Sequence, residues 1–271
     1  MIRLLVEGDY HSGELLGLAH PDNWPPRKRK YAEIMWNWRR QRLREIGRVD
    51  IQIIGGDLNE GYGRKGTLGL LTTDIGEQAE WAEEAAREVR ADYRYITYGT
   101  PYHVEAFTKC EDAVAKALTG AKPRETWRLG PFHGRRLMDR HVVGRSDIPY
   151  GQGTPLFREW VRDQLTAVLE EYKAADLHVR HHVHYYFDVR NVRGQAVTCP
   201  CWRLPTPQTG EGSTYPYTLR PQYYDVGFLL IEIDRSGEIY VRPQIMPLKI
   251  AISRSYVCPQ IKENLSAGRK E

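Results

Sequence analysis

Short apolar segments that each stop at a carboxylate or an imidazole constrain this chain more than any other feature. Ile2 to Val6 runs into Glu7-Gly-Asp9-Tyr-His11, and Asp50 to Ile54 runs into Gly55-Gly56-Asp57. Tyr93 to Tyr98 gives way to Gly99-Thr100, Leu137 to Val143 carries His141, and Leu177 and Val179 lead to His181-His-Val-His184. These segments have the length and apolar content of strands. In a parallel or mixed sheet the carboxyl ends of successive strands converge on one edge. The pattern therefore predicts that residues far apart in sequence meet along a single rim.

Helical patterns separate the strands. Tyr31 to Ile46 places Ile34, Trp38, Leu43 and Ile46 on one side, and Pro25 and Pro26 delay its start. Gly76 to Arg90 has an alanine-rich face, and Val104 to Leu118 is closed by Gly120 with Pro123 beyond. Lys122 to Arg136 reads as a basic loop. Pro155 to Ala175 reads as a helix with Trp160, Val161, Leu165, Val168 and Leu169 inward. Three late strands fall near Ala196 to Cys199, Val226 to Ile233 and Glu238 to Ile245, with Asp234-Arg-Ser-Gly237 turning the last two into a hairpin. Alternation of β and α followed by a β-rich end predicts an α/β fold: a four-layer α-β-β-α sandwich of two mixed sheets with helices on the outer faces. Residues 1–261 read as one domain and 262–271 as a frayed tail.

Composition narrows the class. The longest apolar run, Val226 to Ile231, is far short of the ~18 residues of a membrane span, and the N-terminus lacks a signal-peptide pattern. Four cysteines, at 110, 199, 201 and 258, form no disulfide framework. A cytoplasmic protein with reduced thiols and no membrane association is expected. Cys199-Pro-Cys201 has the wrong spacing for a C-x-x-C site, and Trp202 beside it reads as an anchor of the second sheet.

The rim residues have a definite chemistry. Positions i and i+2 of an extended segment point the same way, so Asp9 and His11 can face one ion, as can His182 and His184. Carboxylates with several imidazoles suit Mn, Fe or Zn better than Mg or Ca. Six donors exceed one tetrahedral ion and suit two, with no cysteine among them.

In order and type these residues resemble the motifs of the calcineurin-like metallophosphoesterase superfamily: Asp-x-His at Asp9 and His11, Gly-Asp-x-x-Asp at Gly56, Asp57 and Glu60, Gly-Asn-His at Gly99 to His103, a single His at His141, and Gly-His-x-His at His181 to His184. The resemblance implies two divalent transition-metal ions, Mn first, with Fe or Zn as the alternatives. Asp9, His11, Asp57 and His184 would hold the first and Asp57, His141 and His182 the second, bridged by Asp57. It also implies hydrolysis of a phosphoester by a hydroxide between the ions, with His103 protonating the leaving oxygen and Glu60 fixing the tautomer of His103. Three positions depart from the pattern. Glu60 replaces an Asp, His181 replaces a Gly, and Thr100 stands for the Asn ligand if two residues loop out.

Net charge is only +4, yet nine basic residues face two acidic ones between Arg27 and Arg48. That segment, with Tyr31, Trp36 and Trp38 available for stacking, favours DNA or RNA as substrate and hence a phosphodiesterase or nuclease. Hydrolysis of phosphomonoesters or cyclic nucleotides is the alternative, and a catalytically weak, metal-dependent nucleic-acid-binding module is a third reading. No feature specifies a protein partner.

Overall fold

A computed structural model describes residues 1–62, 69–101, 110–146, 148–192, 194–204 and 224–247. The tail at 262–271, Cys258 and His103 lie outside them.

Strands β1 (Ile2–Glu7), β2 (Val49–Ile54) and β3 (Ala91–Ile96) are the three parallel strands of the first sheet. With β9 (Gly227–Ile233) and β10 (Ile239–Ile245) they give the order β10-β9-β1-β2-β3, in which β9 runs antiparallel to both neighbours. The second sheet contains β4 (Trp127–Phe132), β5 (Arg135–Arg140), β6 (Leu177–Arg180), β7 (Phe187–Asn191) and β8 (Gly194–Thr198) in the order β4-β5-β6-β8-β7. Its centre, β5-β6-β8, is parallel, and the edge pairs are antiparallel. Both sheets are mixed, as the sequence predicts.

The layers follow from strand periodicity. Leu4, Val6, Ile51 and Ile53 face Leu177, Val179, Val197 and Cys199 across the inter-sheet core. Leu5 and Ile54 point the other way, toward Met35 and Trp36 of α1 (Arg29–Ile46), the alanines of α2 (Ile75–Arg87) and Val114 of α3 (Cys110–Thr119). On the outer side of the second sheet, Leu156 and Trp160 of α4 (Gly153–Leu169) pack on Ala196. Strands buried on both faces carry continuous apolar runs, which is why β1 and β2 are recognisable in the sequence.

Several expectations need correction. Helix α1 buries Ala32, Met35, Trp36 and Arg39, while Ile34 is 59% exposed. Its inward stripe includes an arginine, which a search for apolar positions passes over. Arg39 donates to Glu7 (3.0 and 3.2 Å), to the Ala85 carbonyl (2.8 Å) and to Glu88 (3.3 Å). Glu7 also accepts from Gln52 and from the Trp202 indole, each at 3.0 Å. Trp202 thus stacks on Phe228 beneath the first sheet, not the second.

In α4 the inward positions are Leu156, Trp160, Asp163 and Ala167, leaving Leu165, Val168 and Leu169 in solvent. Asp163 turns the helix by binding His178 (3.2 Å) and Arg128 (2.6 Å). Burial opposes its negative charge, but His178 and Arg128 outweigh burial and hold the carboxyl well below the usual range. Lys122 to Arg136, read as loop, contains β4 and the start of β5. The edge strand β7 is a further element absent from the sequence reading.

Candidate metal centre

Every predicted ligand sits just past a strand end of one of the two sheets, on the rim where β1, β2, β3, β5 and β6 finish. The turns are locked to one another by backbone hydrogen bonds from Asp9 N to Gly56 O (2.9 Å), His11 N to Asp57 O (3.0 Å) and His181 N to His141 O (2.9 Å). Among the described residues seven non-glycine residues have a φ in the left-handed region, and five of them are Asp9, His11, Asp57, His182 and His184. Such a conformation costs about 1–3 kcal/mol and persists where surroundings enforce it.

Among the described residues three donor groups result: two trios of predicted ligands, Asp9 with His11 and His184 and Asp57 with His141 and His182, and a third of His11 with Glu14 and Glu60; within each, the ligand atoms lie within 4.8 Å of one another. Asp9 Oδ1 is 3.3 Å from His184 Nε2 and 3.9 Å from His141 Nε2, so the trios adjoin through Asp9. Asp57 groups with the second trio, its Oδ2 3.0 Å from His141 Nε2.

The imidazoles are oriented from behind. The Nδ1 of His141 faces the Gly55 carbonyl, which can only accept, so that nitrogen carries hydrogen and Nε2 points its lone pair at the carboxylates. Glu60 Oε2 does the same for His11, accepting from Nδ1 at 2.9 Å. The expected pairing of Glu60 with His103 involves a residue outside the described ones; among the described residues its carboxylate engages His11. Thr100 donates from both N (2.6 Å) and Oγ1 (3.1 Å) to Asp57 Oδ1, so its hydroxyl is directed at the carboxylate that the missing Asn would neighbour.

The donor set fits cations. Asp9 Oδ1 and His141 Nε2 are buried without hydrogen-bond partners. His11 Nε2 and His184 Nε2 approach to 3.1 Å with the His11 proton committed to Glu60. Inward-facing lone pairs on buried nitrogens and oxygens repel unless positive charge lies among them. Burial disfavours the His141 imidazolium, but Asp57 and Asp9 overcome burial and push its pKa up to about 10. Asp9 answers in the opposite direction, with burial outweighed by His141 and His184 so that its carboxyl is depressed.

His181, which stands where the family has glycine, is accommodated by glycines elsewhere. A Cβ at Gly55 or Gly8 would come closer than 3.0 Å to the His181 ring. The ring, fully buried, lies parallel to His141 at 6.1 Å and binds Asp139 at 2.9 Å.

Sequence reasoning missed other supports. Gln78 of α2 accepts from Glu60 N (3.1 Å) and Gly61 N (3.0 Å), fixing the Asp57 loop. The Tyr224 ring meets His184 at 4.9 Å, and Arg203 binds Tyr224 and Glu14. Only the polar character of Gln78 on an otherwise alanine-lined helix face would have signalled a role. His178, one strand step before His181, is paired with Asp163 under α4. Arg135 is paired with Asp176 before the start of β6.

No protein-family model matches the sequence, and no curated protein matches it significantly. Among solved structures the chain is similar to Vps29 complexed with zinc from Entamoeba histolytica, at 15% identity and a TM-score of 0.42 over 90% of this chain and 99% of that one. Vps29 from Cryptosporidium parvum gives 15% identity and a TM-score of 0.44 over 90% and 97%. A conserved protein from Streptococcus pneumoniae, described as a predicted phosphoesterase, gives 14% identity and 0.38 over 90% and 98%. The fold rests on the chain's own geometry. Two mixed five-stranded sheets between helical layers, with the motif residues gathered on one rim, make up the α-β-β-α sandwich expected from the sequence.

Proposed function

We propose that this chain is a two-metal phosphoesterase that hydrolyses phosphodiesters of nucleic acid. The observation that carries the reading is the pair of adjoining trios, buried except for half-buried His182, with lone pairs turned inward. Divalent cations bound there would supply Lewis acidity and acidify water. Asp9, His11 and His184 would hold one and Asp57, His141 and His182 the other, with Mn preferred. Gly55 and Glu60 set the tautomers of His141 and His11, and Thr100 restrains Asp57. His103 is assigned the proton delivered to the leaving oxygen.

The basic segment supports a nucleic-acid substrate less directly than its charge count suggests. Arg29, Arg39, Arg40, Arg42 and Arg48 pair with Asp22, Glu7, Glu88, Glu45 and Asp92. The cations at the start of α1, Arg27, Lys28 and Lys30, are the ones on the rim side, because α1 returns from the β1 end of the sheet. Two measurements test the proposal. Labelled single- and double-stranded DNA and RNA should be cleaved with Mn; no cleavage beside robust turnover of a nucleotide monoester or cyclic nucleotide would replace the substrate class. Asp57→Asn should lose metal and turnover together, whereas His103→Ala should lose turnover and keep its metal; equal metal loss in both would reject the roles.

A further inference from the structure

At the end of the first sheet opposite the rim, α1 and α2 finish beside the start of β3, and the space between them is lined by arginine. One cleft of ≈ 440 Å³ is walled by Arg40, Arg44, Arg87 and Arg90 with Glu88. A second, sharing Arg87 and Arg90, adds Arg48 and Arg94. Six guanidiniums thus border two adjoining clefts, and no lysine lines either one.

Neighbouring carboxylates neutralise only half of them. Arg40 pairs with Glu88, Arg48 with Asp92 and Arg87 with Glu83. Arg44 and Arg90 have no ion-pair partner among the described residues. Arg94 is held by neutral acceptors, the Gln52 amide oxygen (2.9 Å) and the Val89 carbonyl (2.8 Å). Burial, followed by the like charge of Arg87, lowers the pKa of Arg94. Crowding like charges costs free energy that an incoming anion returns. The planar, five-donor guanidinium matches phosphate oxygens two at a time, which an ammonium does not. A single phosphate would need one such pocket, whereas two clefts that share Arg87 and Arg90 as walls suit successive phosphates of one strand.

We propose that the arginine clefts between the ends of α1 and α2 form a second, non-catalytic site that binds the phosphate backbone of single-stranded nucleic acid. The eighteen residues of α1 separate it from the rim by ~27 Å at 1.5 Å per residue, so it holds a strand whose other part reaches the metal centre. The inference rests on the nucleic-acid reading above, and its test is independent of cleavage.

Binding of a fluorescein-labelled single-stranded oligonucleotide is followed by anisotropy in EDTA, over a series of salt concentrations, for the full chain and for Arg44→Ala/Arg90→Ala. Both side chains are exposed, so the variant keeps its fold, which far-UV circular dichroism verifies. The double variant should bind about tenfold or more weakly, with a salt slope reduced by about 1.4. Its Mn-dependent turnover of bis(p-nitrophenyl) phosphate should match the parent. Equal affinity and slope in parent and variant would overturn the site, as would absence of binding by the parent. Displacement by inorganic tripolyphosphate at the same concentration as the oligonucleotide would overturn the assignment to a strand in favour of small polyphosphates. Failure of the catalytic proposal alone would abolish turnover in both proteins and leave the difference in binding.

Discussion

The contact between Gly55 and His181 can be measured as a coupling energy. A methyl at position 55 would overlap three atoms of the His181 ring at less than 3.0 Å. The ring has nowhere to go, being fully buried and tied to Asp139. Gly55→Ala should therefore cost about 3 kcal/mol, the upper end for overpacking a rigid core. His181→Ala removes the ring, opens a cavity and leaves Asp139 without its donor, for about 2–4 kcal/mol. In the double variant the methyl enters the space the ring has left, so the total should fall short of the sum by about 2–3 kcal/mol. Urea unfolding followed by circular dichroism in EDTA, which keeps metal binding out of the comparison, gives all four stabilities. Additivity within about 0.5 kcal/mol would show that methyl and ring do not compete for one volume, and the account of how His181 replaces the family glycine would fail.

Two further outcomes follow from the same neighbourhood. Gly99→Ala would drive a Cβ into the Asp57 carboxylate and backbone; metal analysis after Mn loading should show at least one ion lost, and full occupancy would contradict the placement of Asp57. Glu111 is fully buried near Asp57, and burial is the main cause that raises its pKa to about 7. An acid with a raised folded pKa loses stability as pH climbs from its ordinary value of 4.5 to about 7. Glu111→Gln should abolish that slope, worth about 3 kcal/mol at most, and an unchanged stability profile between pH 4 and 8 would refute it.

The central strands and the ligand turns were legible because burial on both faces leaves an apolar run with an abrupt polar end. That signal fades at sheet edges. The exposed edge strand β7 and β4, with Gly130-Pro131 in its middle, carry too few buried residues to stand out. Helix registers failed where an inward position is polar, at Arg39 in α1 and Asp163 in α4, since a charge satisfied by a distant partner looks like a solvent-facing one. The basic segment misled for a related reason: Glu7, Asp22, Glu88 and Asp92 lie outside the window in which charges were counted. Within the site the residues that gather on the rim were readable, but Glu60 against His11 and the glycines opened for His181 depend on contacts between strands remote in sequence.

The left-handed backbone at Asp9, His11, Asp57, His182 and His184 puts heat tolerance and chemistry in competition. At each of these positions glycine would relax the chain by about 1 kcal/mol while deleting a donor. Four of the five are buried, and losing them opens cavities and strands partners such as Glu60 and Thr100, so a library selected for thermal endurance in chelator would drift toward glycine first at half-buried His182. Engineering a hardier version has to begin away from these turns, and the loss of endurance they impose is itself a mark of what the chain is kept for.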